Sequence, residues 1–173
     1  ANVPQSTASQ IYTFIENDLE FARTHLQASW DPTKFPGRVT SGSANALLAK
    51  VYLTQKKWGQ AMTAANTVMT SGQYNLSTPY TTIFGEAGEN SKESVFEVQA
   101  TATSAVPVVN GVQYAQIQGV RGPGVWDLGW GWNSPSTYLE AAYEANDPRK
   151  ARTIMYTSAG STTVYGDALP TGL

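Results

Sequence analysis

The sequence predicts a mainly α-helical fold in which antiparallel helix pairs lead into a long irregular loop region with short strands. Three observations predict it. Apolar residues recur at three- and four-residue steps between Ser9 and Gln27, and small residues recur at helical spacing between Ser41 and Ser71. Residues 101–134 are instead rich in Gly, Ser, Thr, Asn and Pro. The 173 residues suffice for one domain with a real core, read as a helical part over 1–76 and a loop-rich part over 77–173.

In the first helix, Ser9 to Gln27, Ile11, Phe14, Ile15, Leu19, Ala22 and Leu26 share one face. Ser6, Thr7 or Ser9 supplies its cap. Pro32 and Pro36 make the stretch from Ser29 to Gly37 a linking loop. The second helix, from about Ser41 to Gln55, mixes Ala46 and Ala49 with Val51, Tyr52 and Leu53, so a neighbour can approach closely. The third, from about Trp58 to Ser71, turns Ala61, Ala64, Ala65, Val68 and Met69 inward and stops at Gly72. The break at Gln55-Lys56-Lys57 is short enough to force the two antiparallel. Ala49-x-x-Tyr52 followed by Trp58-x-x-Ala61-x-x-x-Ala65 is close to the tetratricopeptide pattern of small and aromatic residues. One such repeat cannot bury its own faces, and about three are needed for stability, so these helices are expected to depend on others.

Beyond Tyr74 the pattern changes. Ser94 to Ala100 sets Val95, Glu97 and Gln99 against Phe96, Val98 and Ala100, the alternation of a short strand. Residues 101–134 read as an ordered loop, because they carry Tyr114, Trp126, Trp130 and Trp132. A helix from about Ser136 to Glu144 is opened by Ser134-Pro135. Asp147-Pro148-Arg149 follows as a turn that Arg149 pins to a helix end, then Thr153 to Tyr156 as a strand.

Composition excludes several chemistries. Net charge is −2 and the eleven basic residues are scattered, so the chain lacks the electrostatic footprint of a nucleic-acid binder. With no cysteine there is no disulfide, thiolate metal site or Cys nucleophile. His25 is the only histidine and has no second ligand nearby, so neither a metal nor a cofactor is expected. Gly119-Val120-Arg121-Gly122-Pro123-Gly124 lacks the Lys-Ser/Thr of a phosphate loop. Glu140 with Glu144, and Glu86 with Glu89, read as solvated surface rather than as carboxylates facing each other across a glycosidic bond. No enzyme is expected. No apolar run approaches the roughly 20 residues of a membrane-spanning helix. The opening Ala1-Asn2-Val3-Pro4-Gln5 lacks the charged start and apolar core of a signal peptide, and the chain is therefore expected to be an internal fragment of something longer.

The segment Trp126-Asp127-Leu128-Gly129-Trp130-Gly131-Trp132-Asn133 carries three of the five tryptophans, spaced by glycines. Sugar rings present flat C–H faces that stack on indole, and their hydroxyls need polar partners. Asp127, Asn133, Gln113, Gln116, Gln118 and Arg121 are placed in sequence to supply them. The alternative is that the tryptophans pack beneath the loop as a small core, as large apolar side chains usually do. Only 14% of residues are charged, against roughly a quarter in an average domain. Such a surface suits neutral ligands.

The order of motifs along the chain resembles the SusD/RagB family. It is carried by Ile11-Tyr12-x-Phe14-Ile15-x-x-Asp18-Leu19-x-x-Ala22, then Gly37-Arg38-Val39-Thr40-Ser41-Gly42, Ala44-x-x-Leu47-Leu48-Ala49-Lys50-Val51-Tyr52-Leu53 and Trp58-x-x-Ala61. Ser71-Gly72-x-Tyr74-x-Leu76, Ile83-Phe84, Glu93 to Gln99, Trp132-Asn133-x-Pro135 and Asp147-Pro148-Arg149 complete it. The resemblance implies part of an α/α superhelical SusD-like fold, in which tetratricopeptide-like units support an irregular binding face. It further implies a surface-exposed outer-membrane lipoprotein of Bacteroidetes, serving polysaccharide utilisation and nutrient uptake. Such a protein binds oligosaccharide or polysaccharide without cutting it and delivers it to a TonB-dependent, SusC-like transporter. It meets the membrane only through an N-terminal lipid anchor, whose cysteine this chain lacks. The family's glycan site draws on the region of residues 101–133. Within it Trp126, Trp130, Trp132, Tyr114, Asn133 and Arg121 are candidates by chemistry and location. The competing reading is a helical-repeat scaffold that binds another protein through Ser41 to Gly72, with the tryptophans as core.

Overall fold

The structure, a computed structural model, describes residues 4–100, 117–122, 127, 129–156, 162 and 168. Helices α1 (Ala8–His25), α2 (Ser41–Thr54) and α3 (Trp58–Met69) come first, then a 3-10 turn (Glu86–Gly88), α4 (Thr137–Ala142) and α5 (Pro148–Thr153). The chain forms two compact units, Ala1–Gln99 and Ala100–Leu173. It is mainly helical, and the β-structure among the described residues is one isolated bridge, Thr162 to Ala168.

Local chemistry sets the helix ends. Thr7 caps α1 through a reciprocal box, its Oγ1 accepting from Gln10 N–H (3.3 Å) while Gln10 Oε1 accepts from Thr7 N–H (2.9 Å). Thr40 and Ser43 do the same for α2 (3.1 and 3.3 Å). Lys56 turns left-handed at φ 61° and Lys57 N–H reaches back to the Tyr52 carbonyl (2.9 Å), which reverses the chain into α3. Helix α2 packs against both α1 and α3. Leu48 and Tyr52 of α2, Ala61 of α3 and Leu19 of α1 make the seam, and Ala44, Ala64 and Val68 are also buried.

Several expectations are corrected. Met69, expected inward, is 74% exposed, and Phe14 on the expected face of α1 is 67% exposed. Helix α1 is rotated toward its Glu16–Glu20 side, because those carboxylates take bonds from the next helices. Tyr52 Oη donates to Glu20 Oε1 (3.2 Å), and Lys57 Nζ to Glu16 Oε1 (2.5 Å). Residues 94–100 form no strand: the segment has no ladder partner among the described residues. Side chains answer it instead, with Ser43 Oγ donating to the Val95 carbonyl (2.8 Å) and Gln99 exchanging amide bonds with Asn90. Thr153 closes α5 rather than opening a strand, and Ile154 after it is buried. Helix α4 is shorter than expected, with Ser136 as its cap and Pro135 outside it. Asp147 caps α5, with Pro148 in the first turn and Arg149 clasping the Asp147 carboxylate (2.6 Å).

The Glu16 contact predicts an acid response. The Lys57 hydrogen bond holds the Glu16 carboxyl below its ordinary 4.5, against the opposing effect of desolvation. A carboxyl depressed in the folded state adds stability above its unfolded pKa and loses it as pH falls through the folded value. Both partners touch water, so the contribution is at most about 1 kcal/mol. The urea midpoint is expected to fall between about pH 6 and pH 3 by this group among others. Glu16→Gln should lower the midpoint at the upper pH and flatten the fall, read by helical circular dichroism. An unchanged acid slope in the variant would remove Glu16 from the effect.

Candidate functional site

Within the second unit, two short backbone segments run side by side. Gly129 N–H donates to the Val120 carbonyl (3.0 Å), Gly131 N–H to Gly119 (2.9 Å) and Trp132 N–H to Ile117 (3.0 Å). Glycine is needed at 131, where φ is +68° and an added Cβ would lie 3.0 Å from Arg121 Cβ. Asn133 is also left-handed, at φ 61°, a conformation its short polar side chain tolerates.

This frame sets Trp130 and Trp132 on either side of Gly131. Their ring centroids are 6.2 Å apart with planes tilted by 58°. The rings are 54% and 64% exposed, so neither is core. Arg121 lies against Gly131, between the two indoles in sequence. Gln118, Asp127 and Asn133 are exposed on the same segments. The structure thus brings together Trp130, Trp132 and Arg121 of the expected set. Tyr114, Trp126, Gln113 and Gln116 lie outside the described residues. Chemically, two open indoles offer apolar faces for C–H surfaces, and Arg121 on the paired segment carries forked donors for oxygen acceptors. Among the described residues no group of His, Cys, Asp and Glu could hold a metal ion.

No family model matches the chain. A curated relative from Bacteroides ovatus, named a SusD-like protein, is 30% identical over 107 residues, which is 56% of this chain and 19% of that protein. A solved structure of a SusD-like protein from Bacteroides fragilis matches with a TM-score of 0.65 at 30% identity, over 82% of this chain and 28% of that one. The chain is SusD-like in sequence and in fold. It spans about a fifth of the curated relative.

Elsewhere in this SusD-like chain, Glu140 is held by basic and hydroxyl partners rather than by a second carboxylate. Glu140 accepts from Tyr156 Oη (2.7 Å) and pairs with Lys150 (3.4 Å). The Tyr156 hydrogen bond, then that of Lys150, holds the Glu140 carboxyl below its usual range, whereas a glycosidase acid needs its pKa raised.

Sequence reasoning missed a cleft of about 270 Å³ in the first unit, lined by Trp30, Phe35, Arg38, Tyr74 and Ser91. Its walls come from residues 28–40, 73–74 and 90–97. The clustering of Trp30, Phe35 and Arg38 was the one signal available. Arg38 is stacked 4.2 Å from the Trp30 ring centroid.

Proposed function

We propose that this chain belongs to a non-catalytic protein of the bacterial cell surface that binds glycan and delivers it to a TonB-dependent, SusC-like outer-membrane transporter. On this reading Trp130 and Trp132 stack on sugar rings, while Arg121 and Asn133 bond to hydroxyls, with Trp126 and Tyr114 as further contacts. The observation that carries it is the pair of open indoles held 6.2 Å apart on a pinned glycine frame. Packing does not account for them, and exposed aromatics of this kind commonly mark binding surfaces. The SusD-like sequence and fold support the transporter partner and the outer-membrane location, and the Glu140 environment supports binding without cleavage.

The test is affinity electrophoresis of the chain against a panel of polysaccharides, beside a Trp130→Ala/Trp132→Ala variant. One glycan is expected to retard the parent. The variant should bind it at least tenfold more weakly, about 1.4 kcal/mol, with unchanged helical circular dichroism. Equal retardation of both proteins would exclude these tryptophans from the site.

A helical-repeat scaffold is favoured by a different observation. Phe14 and Phe21 of α1 and Met62 and Met69 of α3 are exposed, leaving apolar surface for a protein neighbour. Absence of retardation by every glycan of the panel would give that reading the stronger position.

A further inference from the structure

The loop ahead of α2 builds a cation with no counterpart. Asp31 organises it, accepting from Thr33 N–H on Oδ1 (2.9 Å) and from Phe35 N–H on its carbonyl (2.9 Å). Trp30 Nε1 donates to the Val39 carbonyl (2.8 Å), which fixes the indole. Trp30 and Phe35 meet edge to face at 5.8 Å. The Arg38 guanidinium lies over both rings, 4.2 Å from the Trp30 centroid and 4.8 Å from that of Phe35. Stacking limits its freedom and strips part of its hydration, but aromatic faces accept none of its five N–H groups in the plane of the fork. Among the described residues the Arg38 side chain has no ion pair and no hydrogen bond.

A second, independent feature lies on the same cleft. Among the described residues Ser91 Oγ is buried without a hydrogen-bond partner, and a buried hydroxyl left unpaired keeps the full cost of its lost hydration. Lys92, also on the lining, has no ion pair among the described residues. The single carboxylate of the lining, Glu97, is already held by Asn90 N–H (2.9 Å) and Ser94 Oγ. Two unmatched cations and an orphaned hydroxyl therefore surround about 270 Å³, just under the usual range for ligand pockets.

We propose that this cleft binds a carboxylate-bearing ligand of monosaccharide size, a sugar acid of the uronate type. The carboxylate matches the planar Arg38 fork in two parallel hydrogen bonds. Lys92 adds charge, a ligand hydroxyl satisfies Ser91 Oγ, and Phe35 covers an apolar ring face. None of Trp130, Trp132 and Arg121 takes part, so the proposal stands or falls apart from the glycan reading.

The test is calorimetric titration of the 173-residue chain with glucuronate, galacturonate, glucose and inorganic phosphate at fixed ionic strength. A uronate is expected to bind with Kd of about 1 mM, and glucose at least tenfold more weakly. Arg38→Lys keeps the charge but loses the fork, and should weaken uronate about tenfold. Ser91→Ala, which leaves the stack intact, should weaken it severalfold with unchanged circular dichroism. Glucose binding as tightly as glucuronate would overturn the proposal. So would phosphate binding more tightly than either uronate, or an affinity that neither substitution moves.

Discussion

Leu48→Ala is expected to remove most of the stability of the first unit's helices at 25 °C. Leu48 is 1% exposed and is the one large side chain that is fully buried among the described residues. It joins all three helices, packing with Leu19 of α1, Tyr52 of α2 and Ala61 of α3. Truncating such a leucine costs about 2–5 kcal/mol, from lost transfer energy plus the cavity left behind. Ordinary domains hold about 5–15 kcal/mol in total. This one has a thin core, because Ala44, Ala61 and Ala64 are small and Ile11, Phe14 and Phe21 of α1 face water. The loss should therefore take most of the stability. Helical circular dichroism in urea measures it, with Leu47→Ala as the control. Leu47 is the adjacent residue but is 51% exposed, and its removal should shift stability by no more than about 0.5 kcal/mol. A Leu48→Ala midpoint within about 1 kcal/mol of the parent would mean that the helices are held by something other than this seam.

The contrast between Leu48 and Leu47 shows what periodicity can and cannot tell. It located α1, α2 and α3 to within two residues at each end, because caps such as Thr7 and Thr40 and the left-handed Gly72 are local chemistry. It gave the faces less well. A stripe of apolar residues on α1 is wide enough to be buried at several rotations. The rotation was chosen by Glu16 and Glu20, whose partners Lys57 and Tyr52 are more than thirty residues away.

The small residues of α2 carried a real signal, and Gly42 adds an object that the helical spacing did not announce. The missing Cβ of Gly42 makes room for Tyr74, whose ring carbons would lie 2.6–2.8 Å from it. Tyr74 Oη meets the capping hydroxyl of Thr40 (2.8 Å). At Gly42 the close approach is made by the chain beyond α3, while further along α2 packs against α1 and α3 as the small residues implied.

Alternation over 94–100 was legible, but a strand exists only with a partner, and pairing is non-local. Helix α5 was missed because six residues are too few to show a period, although Asp147-Pro148 is a complete start signal. At the site, glycine spacing around the tryptophans was the readable part. Exposure of Trp130 and Trp132 was not, since it follows from three hydrogen bonds to residues 117–120 that no local pattern announces.

Gly131→Val should abolish glycan retardation while leaving both indoles in the chain. At φ +68° a β-branched side chain is strained, and its Cβ would press on Arg121 Cβ at 3.0 Å. Non-glycine residues in such regions cost about 1–3 kcal/mol each. Among the described residues three backbone hydrogen bonds pin this frame, one of them from Gly131 itself, so the cheapest relief is local. The Gly131–Gly119 bond gives way, the peptide rotates, and Trp130 and Trp132 lose their 6.2 Å spacing and 58° tilt. Helices α1–α3 lie in the other unit, so their circular dichroism should not change, whereas the near-ultraviolet tryptophan signal should. Binding at least tenfold weaker, about 1.4 kcal/mol, would show that the mutual placement of the rings matters and not merely their presence. Undiminished binding by Gly131→Val would mean that each indole acts alone or not at all, and the fixed frame would lose its claim to be the site.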